Sequence, residues 1–121
     1  MSAPSGLHYF EWDAVGDVAV VRFRVSVIRD WQMVQAMFGQ LDRLIRQSGQ
    51  RKILLDFGNI VAFTSYAIGK LVVLNSELRA PNGRLALCNL TPTVKEIVDT
   101  MGLRRQLHVY DTEQQALESF D

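Results

Sequence analysis

Lys52-Ile53-Leu54-Leu55-Asp56-Phe57-Gly58-Asn59-Ile60-Val61-Ala62-Phe63-Thr64-Ser65-Tyr66-Ala67-Ile68-Gly69 is the stretch from which the fold can be read. Ile53-Leu54-Leu55 is a continuous apolar run, not an alternating one. Such a run fits a strand covered on both faces, as parallel strands are. Gly58-Asn59 is a turn signal, and IVAF follows it. Then the period changes. Ile68, Leu71, Val72, Asn75 and Leu78 share one face of a helix that Thr64 or Ser65 caps. Ala80-Pro81-Asn82-Gly83 stops that helix.

The same unit recurs downstream. Arg84–Leu90 (RLALCNL) predicts another buried strand. Thr91-Pro92 is a cap followed by proline at the first helical position. Val94, Ile97, Val98 and Met101 form that helix's apolar face. Gly102 ends it, with Leu103 placed for the contact of a glycine C-cap. Leu107–Tyr110 predicts a short strand. Asp111 with Gln114 resembles a capping box for a last helix carrying Ala116, Leu117 and Phe120.

Upstream the pattern opens differently. His8–Val15 (HYFEWDAV) and Val18–Val25 (VAVVRFRV) flank a Gly16-Asp17 turn, which predicts a hairpin. Asp30 is positioned to cap a helix running to about Gln47. Its apolar stripe is Val34, Met37, Phe38, Leu41, Leu44 and Ile45, and Ser48-Gly49 closes it. Met1–Leu7 reads as a flexible leader without the basic and apolar regions of a secretion signal. The predicted order is β-β-α-β-α-β-α-β-α. This is an α/β fold with an antiparallel opening hairpin, then parallel strands, and about four helices.

Composition narrows the function classes. The chain has 121 residues, 48% of them hydrophobic and 21% charged. Its mean hydropathy is +0.04. That predicts one soluble, intracellular domain, 8–121, able to bury a core without a metal or disulfide staple. Thirteen Lys+Arg balance thirteen Asp+Glu, and neither half of the chain holds an excess. A nucleic-acid binder would show a basic face. No apolar run approaches a membrane span. One cysteine, Cys88, forms no disulfide framework.

Few residues offer chemistry. His8, His108 and Cys88 share no short metal-ligand spacing. Cys88 reads as a buried, inert thiol. Gly-rich phosphate loops and a GxSxG elbow are missing. Asp56 is a lone carboxylate, which suits a turn role beside Gly58-Asn59 better than a general base. The distinctive feature is Thr64-Ser65-Tyr66, two hydroxyls and a phenol where a loop becomes a helix. One hydroxyl is explained as an N-cap contributing about 1 kcal/mol. A second at a helix N-terminus can carry a phosphoryl group, because that end tolerates negative charge.

Leu55–Gly69 resembles the apolar strand, turn and Asp-Ser-Ser-Gly-Leu-Gly loop of the STAS domain family. Gly83–Leu90, Thr91-Pro92 and Met101-Gly102-Leu103 resemble its next strand and helix, so the likeness runs from about His8 to Glu118. The resemblance implies a non-enzymatic protein-binding module, cytoplasmic, monomeric or weakly dimeric, and without cofactor or metal. Its role would be that of an anti-sigma factor antagonist in bacterial partner switching, which binds an anti-sigma factor that is also a serine kinase. The implied docking residues are Asn59, Thr64, Ser65, Tyr66, Ala67, Gly69 and Lys70. Three positions depart from the family pattern. Thr64 stands where Asp is usual, Tyr66 where the phosphorylated Ser or Thr is usual, and Ala67 where Gly is usual. Candidate phosphoacceptors are therefore Ser65, Thr64 and Tyr66, and a constitutively binding, non-phosphorylated variant is a further option. Two other readings are an accessory subunit of a lipid-transport or stress-sensing assembly, and a small hydrolase using Asp56, Ser65 and Tyr66.

Overall fold

A computed structural model describes residues 9–79 and 83–120. The leader, His8 and the Ala80–Asn82 stop signal lie outside the described residues. Five strands form the main sheet: β1 (Phe10–Val15), β2 (Val18–Phe23), β4 (Lys52–Asp56), β6 (Arg84–Cys88) and β7 (His108–Tyr110). Their spatial order is β1-β2-β4-β6-β7. β1 runs antiparallel to β2, and the other three neighbouring pairs are parallel. The expected hairpin-then-parallel α/β architecture with four helices is present. Both strands of the hairpin are shorter than expected, beginning at Phe10 and ending at Phe23.

Two short strands were not expected. β3 (Val27–Ile28) and β5 (Ala62–Phe63) pair in parallel away from the main sheet. Two residues show no period, so nothing in the sequence pattern separates such a bridge from a loop. β3 leads into α1 (Trp31–Ser48), and β5 leads through Thr64 into α2 (Ser65–Arg79). α3 (Pro92–Thr100), a 3-10 turn (Leu103–Arg105) and α4 (Glu113–Glu118) complete the chain.

Local signals account for most helix ends. The Asp30 side chain accepts from the Gln32 N–H, and Gly49 takes the left-handed conformation (φ 74°) that ends α1. The six expected apolar positions of α1 are its six buried residues. In α2, Ile68, Leu71, Asn75 and Leu78 are buried as expected, Val72 is half-buried, and Ala67 and Leu74 join the core. Three expectations need correction. Met101 is 47% exposed, because α3 ends at Thr100 and Gly102 (φ 68°) turns the chain away. The cap of α4 is Thr112, which accepts from the Gln115 N–H, while Gln115 Oε1 accepts from the Asp111 N–H. The box therefore sits one residue later than Asp111 and Gln114. Thr91 makes no side-chain cap, because its hydroxyl donates to the Ile60 carbonyl instead (2.6 Å).

Strand pleating sends alternate side chains to opposite faces. Ala19, Val21, Phe23, Ile53, Leu55, Phe57, Leu85 and Leu87 belong to the large core, together with buried residues of α1, α2 and α3. Val18, Val20, Leu54, Ala86 and Cys88 point the other way, onto Ala116 and Phe120 at the α4 end of the chain. Gly83 marks a close crossing. A Cβ there would stand 2.0 Å from the Leu78 carbonyl oxygen, so no larger residue fits without backbone movement.

Candidate functional site

The segment between β4 and α2 is tied down on three sides. Toward β2, Asn59 Nδ2 donates to the Phe23 carbonyl (3.0 Å). Toward β3, the Val61 and Ala62 N–H groups both donate to the Ser26 carbonyl, and the Thr64 N–H donates to Ile28 (3.2 Å). Toward β6, the Phe57 N–H donates to Cys88 (3.0 Å), and Thr91 holds Ile60. Asp56 closes its own turn. Its Oδ1 accepts from the Gly58 N–H (2.8 Å) and its Oδ2 from Asn89 Nδ2 (3.2 Å). Asn89 sits at φ 57°, a left-handed conformation that asparagine tolerates better than most residues. Below the loop, Phe23, Phe57 and Phe63 stack edge-to-face in series, with centroids 5.4 and 5.1 Å apart.

On this base the hydroxyls divide their work. Thr64 is half-buried, and its Oγ1 accepts from the Ala67 N–H (3.3 Å), while its carbonyl accepts from Ile68. It is the cap of α2. Ser65 follows as the first residue of the helix and is exposed. Tyr66 is 42% exposed, and its hydroxyl oxygen accepts from Gln35 Nε2 on α1 (3.3 Å). The ring therefore reaches across to the neighbouring helix. Gly69 is exposed and Lys70 half-buried. Asn59 is exposed as a residue, although its amide is committed to Phe23. Ala67 is the exception in the expected set. It is fully buried beneath the helix and offers no side chain to the surface.

The remaining candidates stand apart. Asp56 serves the turn, Tyr66 serves the α1–α2 contact, and neither shares a hydrogen bond with Ser65. Burial, then the neighbouring Asp56 charge, pushes the Cys88 thiol up to about 12. It stays protonated at neutral pH and is a poor nucleophile. His108 lies exposed on the edge strand β7. Among the described residues no group of three His, Cys, Asp or Glu could hold a metal ion, and no helix is long and apolar enough to cross a membrane.

Sequence reading missed three contributors: Asn89, Thr91 and Gln35. The first two brace the loop from β6 and α3, and the third meets the tyrosine from α1. Each acts on a residue at least 31 positions away, which local pattern does not report. For Asn89 a weak signal existed, since asparagine directly after a strand suits a left-handed bend.

Known proteins share this fold. The family model "STAS domain" matches residues 11–116. A candidate anti-sigma factor antagonist of Bordetella bronchiseptica, BtrV, is 26% identical over 89 residues, 74% of this chain and 72% of that protein. The solved anti-sigma-factor antagonist (STAS) domain protein of Planctomyces limnophilus superposes with a TM-score of 0.81 at 23% identity, covering 92% of this chain and 97% of that one. The Bacillus cell fate determinant SpoIIAA in its phosphorylated form superposes with a TM-score of 0.67 at 23% identity, covering 93% and 99%. The match over 106 of the 121 residues, from Glu11 to Ala116, makes the chain a member of the STAS domain family.

Proposed function

We propose that this protein is a docking module that antagonises an anti-sigma factor, binding it through the start of α2 and the loop before it. The observation that carries this reading is an exposed serine, Ser65, at the first position of a helix whose entry loop is braced by β2, β3 and β6. Its curated relative BtrV supports the role. The docking face takes Asn59, Ser65, Tyr66, Gly69 and Lys70, with Thr64 as the cap that shapes it. Ala67 does not touch the partner.

Ser65 is the phosphoacceptor in this reading. Thr64 is occupied by its cap bond, whereas Ser65 faces solvent. A partner kinase would transfer the γ-phosphoryl group of ATP to Ser65 Oγ, taking up the hydroxyl proton and leaving ADP. The added charge, about −1.5 to −2, sits where helix N–H groups favour it, so the fold survives and the docking face changes sign. Affinity capture from the native lysate, with intact-mass measurement of the bait, tests this directly. The expected result is an anti-sigma factor of serine-kinase type, a phosphoryl adduct on wild type after ATP addition, and a Ser65→Ala bait that keeps its partner. Loss of the partner by Ser65→Ala on ATP addition would overturn the switch.

A further inference from the structure

The two long helices that flank the site each follow closely on one of a pair of short parallel strands. β3 and β5 pair with Val27 opposite Ala62 and Ile28 opposite Phe63. Trp31 is the first residue of α1 and Tyr66 the second of α2. The Gln35–Tyr66 hydrogen bond brings Tyr66 against α1 one helical turn after Trp31. Each helix therefore presents one aromatic residue at its start, Trp31 at 56% exposure and Tyr66 at 42%. Val27 and Val61, on and beside the short strands, are exposed at 37% and 51%. Four of the eight exposed large hydrophobics among the described residues thus gather around one pair of strand-to-helix junctions. Exposed patches of this kind mark interaction sites, and Trp and Tyr are the residues most enriched among binding hot spots.

Charge says what kind of segment fits. Neither helix has an acidic residue in its first turn, and the N-terminus of α2, capped by the neutral Thr64, keeps its partial positive charge. Arg29 precedes α1, and Lys70 follows Tyr66 by one helical turn. One carboxylate opposes them, Asp30, and one of its oxygens already accepts from Gln32. We infer that Trp31 and Tyr66 form a two-aromatic anchor that takes an apolar side chain from a partner segment rich in carboxylates. The inference rests on the docking reading above and adds Trp31 and α1 to its surface. It also gives phosphorylation a direct effect. A phosphoryl group on Ser65, beside Tyr66, would meet the partner's carboxylates with like charge.

Calorimetric titration of the captured anti-sigma factor into wild type, Trp31→Ala, Tyr66→Ala and Met101→Ala tests the anchor. Met101 is an exposed apolar residue at the other end of a helix, beyond α3, and serves as the control. Trp31→Ala and Tyr66→Ala should each weaken binding by roughly tenfold or more, with Met101→Ala unchanged. Undiminished binding by Trp31→Ala would overturn the anchor and leave the docking reading intact. A second arm needs no natural partner. Two 12-residue synthetic peptides share one Leu-Phe pair and differ in flanking Glu or Lys residues. The Glu peptide should shift the amide resonances of 27–35 and 61–70, and high salt should weaken it. Equal shifts from the Lys peptide, or shifts confined elsewhere, would overturn the assignment of charge. If the captured protein is no anti-sigma factor, the docking reading falls, while the peptide arm still decides the anchor.

Discussion

The two faces of the main sheet are built to different specifications. One carries α1, α2 and α3 and closes over the large core that holds Ile53, Leu55 and the three stacked phenylalanines. The other carries the six-residue α4 and a cluster of seven buried residues. What apolar area supplies on the first face, polar clamps supply on the second. Arg22 makes a bidentate pair with Glu113 at the start of α4 (2.9 and 3.0 Å). Arg84 reaches Ser119 and Tyr110, with its guanidinium 4.9 Å from the Phe120 ring centroid. The candidate site belongs to the heavily packed face. The lesson is that the candidate site stands on the more heavily packed part of the molecule.

Neighbouring leucines in β4 offer the sharpest way to break that comparison. Leu55 faces the large core and Leu54 the small one, and both are fully buried. Leu55→Ala should cost about 4 kcal/mol and Leu54→Ala nearer 2, because one short helix can settle into the gap and a layer of three packed helices cannot. Equal losses in denaturant titrations would show that α4 is as rigid as the opposite layer. A smaller effect is expected from Arg84→Met, which removes the hydrogen bonds to Ser119 and Tyr110 for about 1–3 kcal/mol. Hydrogen exchange should then quicken in α4 while α1 to α3 stay protected. Alkylation of Cys88, which lies under α4, should quicken with it.

At the site the contrast concerns two adjacent hydroxyls. Thr64→Ala should lose about 1 kcal/mol through its cap bond, whereas Ser65→Ala should stay within about 0.5 kcal/mol. The reverse order in thermal melts would make Ser65 the structural residue. The smallest effect is one of pH. Desolvation, then Arg84 and Arg79, holds the His108 pKa below its usual value of 6.5. The unfolded chain therefore takes up the proton first, so stability should decline slightly as pH falls through 6.5. His108→Gln should flatten that part of the profile.

Periodic elements were legible because each writes its own pattern. The α1 stripe from Val34 to Ile45 and the run Ile53-Leu54-Leu55 state both the element and the buried side. Asp30 and Gly49 state where a helix begins and ends, since capping chemistry is local. Thr91 misled because a tertiary contact with Ile60 takes its hydroxyl, and Asp111 because the local box starts one residue later, at Thr112. At the site, Ser65 and Tyr66 were legible as residue types in an unusual run. Their division of labour was not, because it depends on Gln35 from another helix and on β3, whose two residues carry no period. The burial of Ala67 was hidden for a related reason. Helical phase at the first turn is set by the cap, and the sequence left Thr64 and Ser65 equally eligible.

The bracing of the 57–64 loop has a consequence for rates. A segment held by Phe23, Ser26, Ile28 and Cys88 carbonyls has little conformational freedom left to surrender when a partner arrives. Encounter would then meet a surface already shaped, so affinity would not be spent on ordering the loop. Association should be limited by orientation and charge, and variants of the face should differ mainly in how fast they let go. A phosphoryl group on such an unyielding surface could not be accommodated by rearrangement. Under the proposed switch, it would act at once and in full on a bound partner.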